Sequence, residues 1–289
     1  MNLRDWEYFI AVADYRHFGK AAEACHVTQP TLSAQLKKLE GYLGVELVER
    51  DNRHVWLTPV GQEMALRARR MLQEAEGLKQ LARSQFNPLA GDIRLGAFPT
   101  LAPYFLPLVL PKVKKQLPEL RVFLIEDKTQ ILLQQLQGGE IDAALLAMPI
   151  NKEQLDVIPV CKEEVLLAVP TNHQLARRKQ ITLDELQGQS LMLLEEGHCL
   201  REQALSVCQL AGAGENTTFR ASSLETLRQM VISGLGVTLM PAMAVNSAQE
   251  GIRYVPFEIP PTREIGLVFR HSDWRLPLWQ QLAQVLRSH

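Results

Sequence analysis

The sequence predicts a chain in three parts: a small, mainly helical head with a two-stranded wing, one long helix, and a larger α/β domain in two lobes. Three observations carry this. Apolar residues of the first 57 positions recur at helical steps and end in a strand–turn–strand pattern; positions 60 to 82 carry a heptad stripe; and from Gly91 strands alternate with helices. A length of 289 residues, 46% of them apolar and 22% charged, suits a small globular domain plus a large one.

In the head, Leu3, Trp6, Ile10 and Ala13 step by 3, 4 and 3, one face of a first helix. Residues 18–25, rich in alanine, give a short second helix, and His26-Val27-Thr28 a three-residue turn. The third helix runs over 29–43. Thr28 can cap it, Pro30 is tolerated in its first turn, and Leu32, Leu36, Leu39 and Leu43 form its buried face. Residues 46–50 and 54–57 flank Asp51-Asn52-Arg53 as strand, turn and strand. Thr58-Pro59 opens the long helix, a capping Thr with Pro at the first helical position. Along it Val60, Met64, Ala68, Met71, Ala75, Leu78 and Ala82 keep coiled-coil spacing for about three heptads, and Asn87-Pro88 ends it.

Beyond it, strands are expected near 92–97, 120–126, 141–146, 164–169, 191–194, 217–221, 236–240, 252–256 and 264–269. Helices are expected near 101–116, 129–137, 200–211, 223–233 and 276–287. This places the head at 1–58, the linker helix at 59–87 and the α/β domain at 88–289. Its first lobe takes 88–161 and 268–289, and its second 162–267.

Composition sets limits. With 31 Lys+Arg against 32 Asp+Glu, a net charge of −1 does not announce a nucleic-acid binder. Four cysteines, Cys25, Cys161, Cys199 and Cys208, are too few for a secreted disulfide scaffold. Arg4, Asp5 and Glu7 break any signal-peptide pattern. No stretch approaches ~18 uninterrupted apolar residues, so no membrane span is expected, and the expected compartment is the cytoplasm, where thiols rest reduced. His198-Cys199 and Cys208 lack a fourth convergent ligand, so neither a metal nor a cofactor is expected.

Two short helices and a three-residue turn are a helix-turn-helix, whose second helix enters a DNA major groove. Gln29, Thr31 and Ser33 near its start can reach base edges or phosphates, and Thr31, Ala34, Lys37 and Lys38 lie opposite the leucine face. Arg50 and Arg53 on the wing, and Arg4 on the first helix, can touch backbone phosphates. Against this, residues 1–57 hold seven Lys/Arg and eight Asp/Glu, and polar helix faces are commonly just solvated. The order of parts weighs for DNA: a dimer-forming helix behind the wing would present two recognition helices to two half-sites one turn apart.

One segment carries a family pattern. Ala21-Ala22, Val27-Thr28-Gln29-Pro30-Thr31-Leu32-Ser33, Lys38-Leu39-Glu40, Leu43-Gly44-Val45, Glu49-Arg50, Leu57-Thr58 and Gly61 follow one another in fixed order. This combination resembles the DNA-binding segment of LysR-type transcriptional regulators, and the resemblance runs on through the linker helix to cover essentially the whole chain. It implies a winged helix-turn-helix, a dimerising linker helix, and a two-lobed effector domain of the periplasmic-binding-protein-like class. It also implies double-stranded promoter DNA and RNA polymerase as partners, a homo-oligomer up to a tetramer, and a regulator rather than an enzyme.

The run from Leu193 to Ala204, with Glu195-Glu196-Gly197-His198-Cys199 at its centre, and then Cys208, resembles a hydrogen-peroxide-sensing subfamily of that family. Phe98 to Tyr104, Thr129, and Arg263 before Ile265-Gly266-Leu267 resemble its pocket segments; Glu202 stands where Asp is common there. The resemblance implies that Cys199 is oxidised and Cys208 resolves it as a disulfide. It implies a peroxide pocket of Thr100, Thr129, His198 and Arg263. Without it, the two threonines read as helix caps, Arg263 as a solvated strand residue, and Cys25 and Cys161 as structural.

The chemistry adds expectations of its own. Only a thiolate attacks peroxide well, so the site is expected to lower the Cys199 pKa, with help from a helix start, His198 and Arg201. If 199–208 is helical, nine rises of 1.5 Å part the two cysteines by about 14 Å, while a disulfide needs Cα atoms within about 7 Å. The bond would then require that helix to unwind. Two other functions stand beside this one: a regulator of the same build that binds a small organic effector between the lobes, and a thiol enzyme using His198 and Cys199.

Overall fold

Asn2 starts the first helix, α1 (Leu3–Tyr15), through a reciprocal cap: its side chain accepts from Asp5 N at 3.0 Å, and the Asp5 carboxylate accepts from Asn2 N at 2.7 Å. The buried face is Trp6, Phe9, Val12 and Ala13. Leu3, expected on that face, is 46% exposed as the first residue of the helix, and Ile10 is only half-buried. Helix α2 (Phe18–Ala24) buries Phe18, Ala21 and Ala22. Helix α3 (Gln29–Leu43) is capped by the Thr28 side chain, buries Leu32, Leu36 and Leu39, and ends at Gly44 in the left-handed region, φ 73°. Leu43 is only half-buried.

The computed structural model describes residues 1–50, 55–84, 87–150 and 153–287. The wing pairs β1 (Val48–Arg50) with β2 (Val55–Leu57). Its turn, with Arg53, lies outside the described residues, as do the side chains of Arg50 and of residues 79–84. The Glu40 carboxylate ties α3 to the wing by accepting from Leu47 N at 2.8 Å and Val48 N at 3.3 Å. Thr58 donates its hydroxyl to Glu46 O at 2.8 Å and accepts from Gly61 N at 2.8 Å, capping helix α4 (Pro59–Ser84). A Cβ at Gly61 would lie 2.0 Å from Leu47 O, so only glycine lets α4 and the wing approach this closely. Ala65 and Ala68 bury in the head core, with Met64 and Leu72 half-buried beside them. The heptad stripe is therefore divided: Met64 and Ala68 face the head, while Val60, Met71 and Leu78 stay exposed.

By its internal contacts the chain forms two units, Met1–Asn87 with Gly138–Glu140, and Pro88–Gln137 with Ile141–His289. The second unit runs β3 (Gly91–Ala97), α5 (Ala102–Gln116), β4 (Leu120–Glu126), α6 (Thr129–Gly138), β5 (Ala143–Ala147) and β6 (Leu155–Pro170). It continues with β7 (Ser190–Leu194), α7 (Cys199–Ala211), β8 (Gly214–Ala221), α8 (Leu224–Ile232), β9 (Thr238–Pro241), β10 (Ile252–Val255), β11 (Thr262–Arg270) and α9 (Leu276–Arg287). The main sheet has the order β10-β6-β11-β5-β3-β4, with β9 also on β6. Strand β3 is parallel to β4 and β5, and the pairs of β11 and β6 are antiparallel.

Strand β6 has 16 residues, where only 164–169 was expected. Pro159 hides its first half from a pattern reading. The strand accommodates that proline where its register with β11 shifts, between Ile265 and Gly266. The length matters, because β6 crosses two cores. Its first half packs with Ile93, Leu95, Phe105, Leu132, Leu145, Leu267 and Trp279; its second half with Leu191, Leu200, Cys208, Leu227, Leu239 and Phe257. This is the two-lobed α/β architecture that the sequence predicts.

Candidate functional site

Three chain segments and one strand pair converge on Cys199. From the first lobe, the turn after β3 supplies Phe98 and Thr100, and the start of α6 supplies Thr129. From β11 comes Arg263, whose register partner on β6 is Glu163. From the second lobe comes the start of α7, with His198 at its N-cap position and Cys199 as its first residue. Gly197, at φ 90°, makes the bend that lets the chain enter that helix.

Arg263 organises the site. It is 1% exposed and gives Nε to Glu163 Oε2 at 2.5 Å, Nη1 to Thr100 Oγ1 at 2.9 Å and Nη2 to Thr100 O at 2.9 Å. Its guanidinium lies 5.2 Å from the centre of the Phe98 ring. Glu163, 3% exposed, uses its other oxygen to accept from Met243 N at 2.9 Å. Because Arg263 donates to the Thr100 oxygen, the Thr100 hydroxyl keeps its own proton for the Cys199 sulfur. The Thr129 hydroxyl also acts to lower the pKa of that thiol, but it is buried without a hydrogen-bond partner of good geometry.

Three expectations about charge differ from what the structure shows. Burial pushes the Cys199 thiol up, and this outweighs the opposing pull of Arg263, the Thr100 and Thr129 hydroxyls and the Leu200 N–H. The closed site thus holds a thiol surrounded by groups that favour a thiolate. His198, 4% exposed, is pushed down by burial first and then by Lys128, so it is a neutral imidazole rather than a source of positive charge. Its ring nitrogens have no hydrogen-bond partner; Glu195 Oε1 is 3.8 Å from Nε2, beyond hydrogen-bond length. Arg201 does not serve the thiol either. It donates to Glu215 at 2.8 and 3.0 Å and to Leu194 O at 3.0 Å.

Cys208 is on the same helix but belongs to the other lobe. It is 4% exposed in the second core, whereas Cys199 packs against the first. Both thiols are free, and burial raises the Cys208 thiol. Nine residues of continuous α7 part them by about 14 Å, twice the reach of a disulfide. Cys25 and Cys161 are half-buried and free; burial, then Glu163, pushes the Cys161 thiol to about 11. The sequence reading missed Glu163, whose partner lies 100 residues away, and Lys128, whose ammonium reaches Glu195 Oε1 at 2.8 Å and Glu196 O at 3.0 Å.

In the head, Arg4, Gln29, Thr31, Lys37 and Lys38 are exposed and Ser33 is half-buried. The Thr31 hydroxyl shares a 2.8 Å hydrogen bond with that of Thr28, so one of its hydrogen-bonding positions is taken by the cap. Arg4 lies 5.7 Å from the centre of the Tyr8 ring. Among the described residues, no helix is long and apolar enough to cross a membrane, and no cluster of His, Cys, Asp and Glu could hold a metal ion.

Comparison with known proteins agrees with this architecture. Residues 3–62 match the family model described as bacterial regulatory helix-turn-helix protein, lysR family, and residues 86–289 match the LysR substrate binding domain. The hydrogen peroxide-inducible genes activator of Pectobacterium carotovorum subsp. carotovorum is 44% identical over 292 residues, covering 100% of this chain and 97% of that protein. A full-length OxyR variant of Pseudomonas aeruginosa superposes with a TM-score of 0.84 at 37% identity, covering 100% of this chain and 98% of that one. An H2O2-bound OxyR mutant of Corynebacterium glutamicum gives a TM-score of 0.69 at 34% identity, covering 99% and 91%. With both halves matched and full-length relatives above 30% identity, the chain belongs to the LysR family of bacterial regulatory helix-turn-helix proteins, alongside the OxyR proteins within it.

Proposed function

We propose that this chain is a DNA-binding transcription regulator that senses hydrogen peroxide through Cys199 and records the event as a disulfide with Cys208. The observation that carries the reading is one helix with a thiol at each end of a 14 Å span, one in the polar pocket and one in the opposite core. Relatives named for hydrogen peroxide support it.

The steps balance with residues at hand. The Cys199 sulfur attacks one peroxide oxygen, the O–O bond breaks, and the thiol proton leaves with the departing oxygen as water. The Thr100 and Thr129 hydroxyls hydrogen-bond the sulfur as its charge develops, and Arg263 supplies the positive field. The open ring nitrogens of His198 offer a place to hold peroxide. The Cys208 thiol then displaces the sulfenic hydroxyl, releasing a second water and forming the disulfide. That bond requires α7 to unwind and Cys199 to leave the first lobe, which changes the lobe surface.

Each chain is thereby switched once per peroxide rather than turning over as an enzyme. On this reading residues 1–58 bind double-stranded promoter DNA through Gln29, Thr31, Ser33, Lys37 and Lys38, with Arg4, Arg50 and Arg53 on phosphates. Residues 59–87 dimerise through the exposed Val60, Met71 and Leu78, and residues 88–289 carry the sensor. A tetramer, contact with RNA polymerase and a cytoplasmic site of action complete the proposal. The test is peroxide oxidation of Thr129→Val and Cys208→Ser chains. The first is expected to oxidise about tenfold more slowly for one lost hydrogen bond, and the second to stop at the sulfenic acid. Wild-type rates in Thr129→Val, or a disulfide partner other than Cys208, would overturn the assignment.

A further inference from the structure

Lys128 and the loop 195–198 form a fastening that the peroxide chemistry does not use. Lys128 directly precedes Thr129 on the first lobe, and the loop directly precedes Cys199 on the second. The ammonium makes two bonds to the loop, a 2.8 Å ion pair with Glu195 and a 3.0 Å hydrogen bond to the backbone oxygen of Glu196. The aliphatic stem fills the space over Gly197: a Cβ there would lie 2.9 Å from Lys128 Cδ. One side chain thus holds three consecutive residues of the segment that must move if Cys199 is to leave its pocket. Lys128 is not among the groups that set the Cys199 thiol, which answers to Arg263, Thr100, Thr129 and Leu200; beyond the clamp, its charge also disfavours protonation of His198.

We propose that Lys128 is a positioning residue: its clamp on Glu195, Glu196 and Gly197 holds α7 docked and biases the Cys199/Cys208 pair toward the dithiol. The consequence for the switch rests on the redox reading above; the clamp itself does not. The exchange Cys199-SH + Cys208-SH + glutathione disulfide ⇌ protein disulfide + two glutathione thiols reads the bias directly. Removing the clamp shifts this equilibrium toward the protein disulfide by about three- to tenfold, the worth of one partly exposed ion pair and one hydrogen bond.

The test compares full-length wild type, Lys128→Met and Lys128→Arg. In the reduced proteins, amide exchange over residues 196–203 is expected to rise about tenfold in Lys128→Met, with the rest of the chain unchanged and Lys128→Arg within about twofold of wild type. In a glutathione buffer of fixed poise, Lys128→Met carries the higher disulfide fraction, and salt near 0.5 M brings wild type toward it because the ion pair is screened. Equal local exchange in wild type and Lys128→Met, or loss of protection in Lys128→Arg equal to that in Lys128→Met, overturns the clamp. If wild type forms no 199–208 disulfide at any poise, the redox reading falls, and the exchange comparison still decides the clamp.

Discussion

Substituting Glu163 tests the buried framework of the site. Its side chain is 1% exposed and that of Arg263 0% exposed, so neither charge has water to fall back on. Glu163→Gln leaves the Arg263 guanidinium buried without its counter-charge, and breaking a buried pair in this way costs about 3–5 kcal/mol. The glutamine oxygen can still accept from Met243 N; Glu163→Ala loses that bond too and costs about 1–3 kcal/mol more. For a unit of this size, the Gln variant should melt about 6–20 °C lower by scanning calorimetry. A second readout separates charge from stability. With Glu163 neutral, the Arg263 field at Cys199 is less compensated, so the thiol titrates lower and alkylates faster well below the melting range. Arg263→Met also destabilises, yet it removes the largest influence that lowers the Cys199 pKa, so its thiol alkylates more slowly at the same pH. A Glu163→Gln loss under about 1 kcal/mol, or slower alkylation than wild type, would refute the reasoning.

Three other outcomes follow from the geometry. Gly61→Ala places a methyl 2.0 Å from Leu47 O, so the wing and α4 must separate, and the head should lose about 1–3 kcal/mol while the α/β unit melts unchanged. Lys38→Ala should weaken DNA binding across sequences and reduce the slope of log K against log[salt] by about 1, measured by fluorescence anisotropy. His198 is held neutral in the fold, so only the unfolded chain takes up its proton as pH falls below about 6.5. Its contribution is therefore complete above that pH and lost below it, and denaturant titrations of His198→Asn should show a shallower decline from pH 7 to 5 than wild type.

Much of the architecture was legible because its signals are local. The Leu32, Leu36 and Leu39 stripe, the Thr28 cap and the helix ranges of the α/β domain need only periodicity and capping chemistry. What escaped depends on distant partners or on burial. Glu163 sits in the polar run Lys162-Glu163-Glu164, which reads as solvated until β11 brings Arg263 opposite it. Arg201 is two residues from Cys199, yet 200° around a helix turns it away from the thiol and onto Glu215. The helix start and the nearby cations at Cys199 were visible in the sequence, and the desolvation that outweighs them was not. Leu3 and Ala68 show the same limit for helix faces: spacing defines a stripe, and only the neighbouring elements decide which part of it is covered.

On the proposed mechanism, peroxide converts two thiols in opposite cores into one bond, and this changes DNA binding. The most direct test adds a small excess of hydrogen peroxide to the reduced full-length chain, maps its disulfides by mass, and footprints it on DNA beside Cys199→Ser. The expected result is a Cys199–Cys208 link, an altered footprint, and no change in Cys199→Ser. An unlinked pair, or a footprint that peroxide changes equally in both proteins, would contradict it.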